Sequence, residues 1–201
     1  MRMYGIDVSD NNGKLNWDAI SRYNETAENP IEFAIVASSY GRTGRHDRFL
    51  ENVNGAHSVG LKVGAYHYSY AINSSHPSEE AANCRDAINE SGVLLELPVF
   101  YDMEDADGWK GQRGWNPSEH DVTQYCKEFI DNIGLNCGIY ASYSWLTMFI
   151  DWRALGCSVW NAQWGSQDDI GGYMWQYTDS LYIPGFVAGT NKCVDGNILY
   201  Q

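Results

Sequence analysis

The segment PVFYDMEDADGW, residues 98–109, decides the fold and raises the question of function. Its apolar start predicts a buried strand, in which successive side chains point to opposite faces. Asp102 and Glu104 therefore share one face, whereas Tyr101 and Met103 share the other and are expected to pack under helices. A buried carboxylate without a partner is costly, so two acids on one face of a strand need an explanation.

Seven further short segments are rich in β-branched, aromatic and small apolar residues and also predict strands. They are Met3–Val8, Phe33–Ser38, Lys62–Tyr68, Cys137–Ser142, Ser158–Gln163, Tyr173–Tyr177 and Val194–Leu199. Helical patterns follow each of the first five strands, while the last three leave little room for helices. Five βα units and then three strands predict an α/β fold, an irregular TIM-like barrel, with an open doubly wound sheet as the alternative. No linker divides the chain, so residues 1–201 are expected to form a single domain.

The clearest helical pattern follows Asn116. This residue can cap a helix, Pro117 suits the first helical position and Glu119 can complete a capping box. Apolar residues then recur at helical spacing, at Val122, Cys126, Phe129 and Ile133. Gly134 can end the helix, so we expect one helix from Pro117 to Ile133, lying on the sheet.

The charge balance argues against two classes of partner. Thirteen Lys and Arg stand against 26 Asp and Glu, a formal net charge of −13, which disfavours nucleic acid and anionic membranes. We find no apolar core of a signal peptide and no run of about 18 apolar residues. The protein is therefore expected to be made in the cytoplasm and to cross no membrane by itself. Its oligomeric state is left open.

Metal and thiol chemistry find no support in the sequence. The five cysteines are scattered without CxxC spacing and are expected to be reduced thiols of the core. HExxH and comparable ligand spacings are absent, so neither a metal nor a cofactor is expected. His67, between two tyrosines, could act as a general base, but a hydrogen-bonded core histidine is the interpretation we favour.

A barrel brings acids from separate strands to one end. Asp102 and Glu104 lie at the C-terminal end of their strand, where the sites of such barrels are found, and Asp7 lies at the end of the first strand. A solvated turn or a salt bridge is the alternative, but basic residues are scarce and we expect none near these strands. Crowded carboxylates raise at least one pKa and so supply one acid and one anion, as glycosidic bond cleavage requires.

Seven segments together resemble one enzyme family. In chain order they are YGIDVSDNNGKLNW (4–17), GAYHYSYA (64–71), PVFYDMED (98–105), GIYAS (138–142), AQW (162–164), WQYTD (175–179) and VDGN (194–197). They resemble glycoside hydrolase family 25, the Chalaropsis-type lysozymes, which include many phage endolysins. The resemblance implies a barrel of five βα units and three further strands. It also implies cleavage of the β-1,4 bond between N-acetylmuramic acid and N-acetylglucosamine in bacterial peptidoglycan.

The resemblance also implies roles for four acids. Glu104 matches the general acid of the family's D-x-E motif, and Asp102 matches the carboxylate two residues before it. Asp7 matches the first-strand acid and Asp195 the acid near the C-terminus, with Asp179 as its competitor. The second chemical step stays open between direct attack by a carboxylate, attack by activated water and attack by the substrate's own N-acetyl oxygen, which we favour.

Aromatic residues would line the sugar groove, namely Tyr66, Tyr140 and Trp164, unless they only fill the core. Two other functions are possible: a non-catalytic glycan-binding barrel that keeps the groove, and a chitinase-like glycosidase. An enzyme made in the cytoplasm needs an exit to reach the wall, and an endolysin released through a membrane-permeabilising, holin-type partner is the simplest answer. Family members often continue past the VDGN motif into a wall-binding module, so the chain is expected to be a catalytic domain.

Overall fold

A computed structural model describes residues 2–189 and 193–200. Its strands are β1 (Arg2–Val8), β2 (Ile31–Tyr40), β3 (Gly44–Arg45), β4 (Lys62–Tyr68), β5 (Val99–Asp102), β6 (Cys137–Ser142), β7 (Ser158–Ala162), β8 (Met174–Tyr182) and β9 (Cys193–Tyr200). Its α-helices are α1 (Asp18–Asn24), α2 (Phe49–Ser58), α3 (His76–Ser91), α4 (Val122–Ile133), α5 (Tyr143–Met148) and α6 (Trp152–Leu155). Short 3₁₀ turns lie at Asp10–Asn12, Gly111–Arg113 and Pro117–Glu119.

Eight of the strands close into a barrel. Their order is β1-β9-β8-β7-β6-β5-β4-β2, and β1 also pairs with β2 in parallel, which closes the ring. β9 runs antiparallel to both of its neighbours, β8 and β1, while the other barrel pairs are parallel. The predicted barrel of five βα units and three strands is confirmed, and the open sheet is excluded. The two-residue β3, which pairs with the end of β2, was not predicted.

Two apolar layers hold the barrel together. Inside it, buried side chains from several strands pack into one cluster: Met3, Phe33, Ile35, Leu97, Phe100, Trp160, Met174 and Leu199. A larger cluster fills the space between the strands and the helices, and it contains Val99, Tyr101 and Met103. The predicted alternation along β5 is therefore confirmed, because Phe100 points inward and its neighbours point outward.

The helix expected from Pro117 begins later. Asn116 does act as a cap, since its side chain accepts a hydrogen bond from the Ser118 N–H, but only for a 3₁₀ turn that ends at Glu119. The α-helix starts at Val122, where the Asp121 carboxylate accepts from the Gln124 N–H. Two capping residues thus stand five positions apart, and the second one begins the helix. The predicted end is confirmed, because Gly134 adopts the left-handed conformation with φ of 70°.

Buried polar residues outside the barrel behave partly as expected. His67 is fully buried and its Nδ1 lies 2.8 Å from the Ser39 hydroxyl, so the prediction of a hydrogen-bonded core histidine is confirmed. All five cysteines are free thiols, but the expectation that all lie in the core is wrong. Cys157, which directly precedes β7, is half-buried, and Cys193, the first residue of β9, is exposed. Within the described residues, each helix is too short or too polar to span a bilayer.

Candidate active site

Strand register brings four acids to one end of the barrel. Asp7 on β1 lies directly opposite Asp195 on the antiparallel β9. Asp102, the last residue of β5, is in register with Tyr140 on β6, and Glu104 follows two residues later. All four carboxylates line a single cleft of about 660 Å³. The acids that the sequence singled out are therefore brought together, although their catalytic roles stay predictions.

Two amide side chains hold the acids of β1 and β9. The Gln176 amide donates to Asp7 Oδ2 at 3.0 Å and to Asp195 Oδ2 at 3.2 Å. Asn197 donates to the same Asp7 oxygen at 2.8 Å. The Tyr140 hydroxyl donates to Gln176 Oε1 at 3.1 Å, which fixes the orientation of that amide. Neither amide was predicted to belong to the site, although both lie inside the WQYTD and VDGN motifs.

These hydrogen bonds affect the pKa values of Asp7 and Asp195 differently. Burial raises the pKa of Asp7, but the amide hydrogen bonds from Asn197 and Gln176 stabilise its charged form. Burial and the nearby Asp7 carboxylate raise the pKa of Asp195 to about 8. At neutral pH Asp195 therefore holds its proton, and the amide hydrogen bonds favour the charged form of Asp7. Asp179, the competitor for Asp195, is exposed and does not line the cleft.

The carboxyl groups of Asp102 and Glu104 form the second pair. Burial raises the pKa of Glu104 to about 7, and the charges of Asp107 and Asp7 act in the same direction. Burial and the charge of Glu104 raise the pKa of Asp102 well above its ordinary value. Asp102 Oδ1 is buried without a hydrogen-bond partner in the described part of the chain, so it can accept a hydrogen bond from a bound molecule. The pair thus offers a proton donor at neutral pH and a vacant acceptor.

The expectation of no basic residue near these strands is wrong. Lys110 is fully buried, and its ammonium group donates to the main-chain carbonyl of Glu104 and lies 3.5 Å from Met103 Sδ. It approaches β5 from the helix side of the sheet, so it does not line the cleft. The position of Lys110 next to β5 was not predicted, because a loop, and not a helix or a strand, brings this residue back to the strand.

Aromatic rings form the floor and walls of the cleft. Tyr66 and Tyr140 line it and pack edge-on against Trp160, with ring centroids 6.4 and 4.5 Å away. The indole N–H of Trp160 also donates to Asn197 Oδ1 at 2.9 Å. Trp160 therefore orients the amide that donates to Asp7. Trp164 is 62% exposed and is not among the lining residues, but its indole N–H donates to Gln176 Oε1 at 3.1 Å. The structure thus places two of the three predicted rings in the cleft and the third beside it.

Further aromatic and polar residues extend the cleft beyond the acids. Tyr70 stacks at a tilt on Trp109, with centroids 4.8 Å apart, and its hydroxyl donates to Asp107 at 2.7 Å. Tyr40 packs edge-on against Tyr70. Flat faces with polar tips suit the alternating apolar and hydroxyl surfaces of a sugar chain. No group of three or more His, Cys, Asp or Glu is arranged to hold a metal ion in the part of the chain that the structure describes.

The acid cleft and the closed barrel agree with what sequence comparison finds. Residues 6–186 match the profile of the glycosyl hydrolases family 25. The chain belongs to this family. The resemblance stated from the seven segments is therefore confirmed, and the prediction of a glycoside hydrolase is confirmed at the level of the family.

Individual relatives of this family 25 chain are distant. The "Autolytic lysozyme" of Clostridium acetobutylicum is 25% identical over 91% of the chain, which spans 52% of that protein. Among solved structures, the modular autolysin LytC of Streptococcus pneumoniae, in complex with a synthetic peptidoglycan ligand, is similar with a TM-score of 0.84. Its identity is 22%, over 99% of the chain and 47% of that protein. The catalytic domain of endolysin ply40, from bacteriophage P40 of Listeria monocytogenes, has a TM-score of 0.75 and 20% identity, over 100% of the chain and 94% of that domain. The structural likenesses show the fold, and the chain spans about half the length of the lysozyme and the autolysin.

The protonated state of Asp195 in this family 25 chain predicts a pH effect on stability. Its pKa of about 8 in the folded protein exceeds the ordinary value of 3.8, so the folded state holds a proton that the unfolded state has lost. Asp195 therefore lowers stability progressively as the pH rises from about 4 to about 8. In Asp195→Asn, the fall in the free energy of unfolding between pH 5 and pH 8, measured by urea unfolding, should be smaller by about 3 kcal/mol, since each pH unit between the two pKa values contributes about 1.4 kcal/mol.

Asp18→Asn is the matched control, because it changes an exposed aspartate that neither lines the cleft nor acts on the pKa of Asp195. Its unfolding free energy should follow that of the unchanged protein at each pH. Equal pH dependence in all three proteins would contradict the assignment of the proton to Asp195.

Proposed function

We propose that the chain is an N-acetylmuramidase, which hydrolyses the β-1,4 bond between N-acetylmuramic acid and N-acetylglucosamine in bacterial peptidoglycan. The observation that carries this proposal is the pairing, in one aromatic cleft, of a carboxyl group with a pKa of about 7 and carboxylates held by amides. Family membership and the peptidoglycan ligand bound by the LytC relative support the substrate class. A glycan-binding protein would gain nothing from burying these acids together.

Glu104 is the proposed general acid. Its proton passes to the glycosidic oxygen as the bond from that oxygen to the anomeric carbon breaks. Because its pKa is about 7, a large fraction of Glu104 is protonated at neutral pH, and activity should fall as the pH rises through that value. The same residue can later take a proton from the water that completes hydrolysis, which restores the starting state.

Asp102 is the proposed partner of the substrate's N-acetyl group. Its partnerless Oδ1 can accept the amide N–H of that group, which positions the N-acetyl oxygen for attack on the anomeric carbon. Attack forms a cyclic oxazolinium ion, and Asp102 stabilises it through the hydrogen bond that it accepts from the ring N–H. Water then opens the ring and gives a product with retained configuration.

Asp7 and Asp195 complete the electrostatics of the site. Asp7, held as an anion by two amides, raises the pKa of Glu104 and favours the positive charge that develops on the sugar. Asp195 holds its proton and so avoids adding a further negative charge. This arrangement limits repulsion among four acids in one cleft.

The reaction is tested with Glu104→Gln, which keeps the size of the side chain and removes the acidic proton. Clearing of purified bacterial walls should fall at least about a thousandfold, with an unchanged circular dichroism spectrum. Glu119→Gln, on an exposed 3₁₀ turn, is the control and should clear walls normally. Mass spectrometry of the muropeptides released by the unchanged protein should find N-acetylmuramic acid at the reducing end.

Fragments with N-acetylglucosamine at the reducing end would indicate a glucosaminidase. Cleavage of chitin oligomers in preference to walls would indicate a chitinase. Either result would contradict the proposed bond specificity. Binding to walls with no release of fragments would indicate the non-catalytic alternative.

The role of Asp102 predicts inhibition by a thiazoline analogue of the oxazolinium ion. The analogue should compete with wall fragments, and Asp102→Asn should weaken its binding and lower the turnover rate about a hundredfold or more. Inhibition constants and turnover on soluble wall fragments measure both effects. Trapping of a sugar covalently bonded to Asp102 or Asp7 would replace substrate assistance with direct attack.

We further propose that the enzyme serves as a phage endolysin, made in the cytoplasm and released to the wall through a membrane-permeabilising partner. The ply40 endolysin domain and the autolysin LytC both share the fold of this chain, so an experiment must separate the two roles. Expression in a susceptible bacterium should cause lysis only when a holin-type protein is made as well. Lysis without such a partner would favour an independently exported autolysin.

A further inference from the structure

Lys110 occupies an unusual position behind the candidate active site. Its side chain is fully buried, and its ammonium group donates to the main-chain carbonyl of Glu104. The rings of Trp115 and Trp145 lie 5.6 and 5.8 Å from the ammonium nitrogen, and Met103 Sδ lies 3.5 Å away. A lysine costs free energy to bury as a cation, so a partner for its charge is expected nearby.

A tight loop holds Lys110 in this position behind β5. The Asp105 carboxylate accepts from the main-chain N–H groups of Lys110 and Gly111, each at 2.8 Å. Gly108 N–H donates to the Asp105 carbonyl at 3.0 Å, and the chain then turns back under β5. Three hydrogen bonds thus fix the loop independently of the lysine side chain.

Burial lowers the pKa of Lys110, and the charges of carboxylates on three elements act against this by raising it. These carboxylates are Glu80 on α3, Asp102 and Glu104 at the end of β5, and Asp105 in the loop. Glu80 is itself fully buried and accepts from the Tyr101 hydroxyl and the Tyr70 N–H, so it is satisfied without the lysine. Among the described residues that line the cleft, there is neither lysine nor arginine. Lys110 is therefore a positive charge next to the acids that is closed off from the substrate.

We propose that Lys110 is a positioning residue, whose ammonium group fixes the main chain at Glu104 and sets the charge of Asp102 and Glu104 from behind the strand. This role rests on the proposed function, in which Glu104 donates a proton and Asp102 accepts a hydrogen bond from the substrate. Because the cation never reaches the cleft, it can act on the carboxyl groups without binding the sugar.

The direction of the effect follows from the charges. The ammonium group lowers the pKa of both Asp102 and Glu104, against burial, which raises both. Without the cation, Glu104 would keep its proton to higher pH, which moves the alkaline limb of the activity profile upward.

The test compares Lys110→Met, which removes the charge and the donor, with Lys110→Gln, which removes the charge and keeps a donor. Wall clearing is measured from pH 4 to pH 10, and both variants should shift its alkaline limb upward by about one pH unit. Lys127→Met is the matched control, because it removes an exposed lysine on α4 that pairs with Asp131. Its profile should match that of the unchanged protein.

A second measurement needs no substrate. The carboxyl carbon of Glu104 is followed by ¹³C NMR titration, with its signal assigned by its absence from Glu104→Gln. Its titration midpoint should rise by about one pH unit in Lys110→Met and stay unchanged in Lys127→Met. This readout applies even if an altered main chain at residue 104 reduces turnover.

The outcomes separate the two proposals. Absence of wall clearing by the unchanged protein would overturn the proposed function, whereas the NMR titration would still test Lys110. Clearing with an unshifted alkaline limb and an unshifted Glu104 midpoint in folded Lys110→Met would overturn the role of Lys110. A shift in Lys110→Met that is absent from Lys110→Gln would reject the charge and leave only the hydrogen bond to the main chain.

Discussion

Closure of the barrel between β1 and β2 is the constraint on which the site depends. Pairing on both edges of β1 satisfies its main-chain hydrogen bonds and fixes Asp7 opposite Asp195 on β9. In an open sheet β1 and β2 would lie at opposite edges, with Asp7 far from Asp102. Closure of the barrel brings together four acids that are distant in sequence, so each carboxyl group affects the pKa of the others.

The alternation of side chains along a strand and the arrangement of strands in a barrel explain why the positions of the acids could be predicted from the sequence. Alternation along residues 99–104 fixed the faces of Asp102 and Glu104, and the rule that barrel sites lie at the C-terminal ends of strands placed Asp7 near them. Lys110 could not be predicted this way, because hydrogen bonds within a loop decide its position. The start of α4 was misplaced because Asn116 and Asp121 are both good caps, and only packing selects between them.

The amide side chains that hold Asp7 and Asp195 could not be recognised from the sequence as part of the site. Gln176 and Asn197 do not titrate, so neither charge nor spacing marks them as part of an acid site. Yet their donors decide which carboxyl group of the Asp7 and Asp195 pair is charged. Residues that organise protons are therefore recognised by the hydrogen bonds they make, after the fold is known.

The antiparallel course of β9 has a practical consequence for joining this domain to other molecules. β9 starts at the cleft, near Asp195, and ends at Tyr200, which pairs with Arg2 at the opposite end of the barrel. Both ends of the described chain thus emerge side by side on the face away from the acids. A tag, surface tether or carbohydrate-binding module fused at either end would hang below the barrel and leave the cleft mouth free for a polymer to enter.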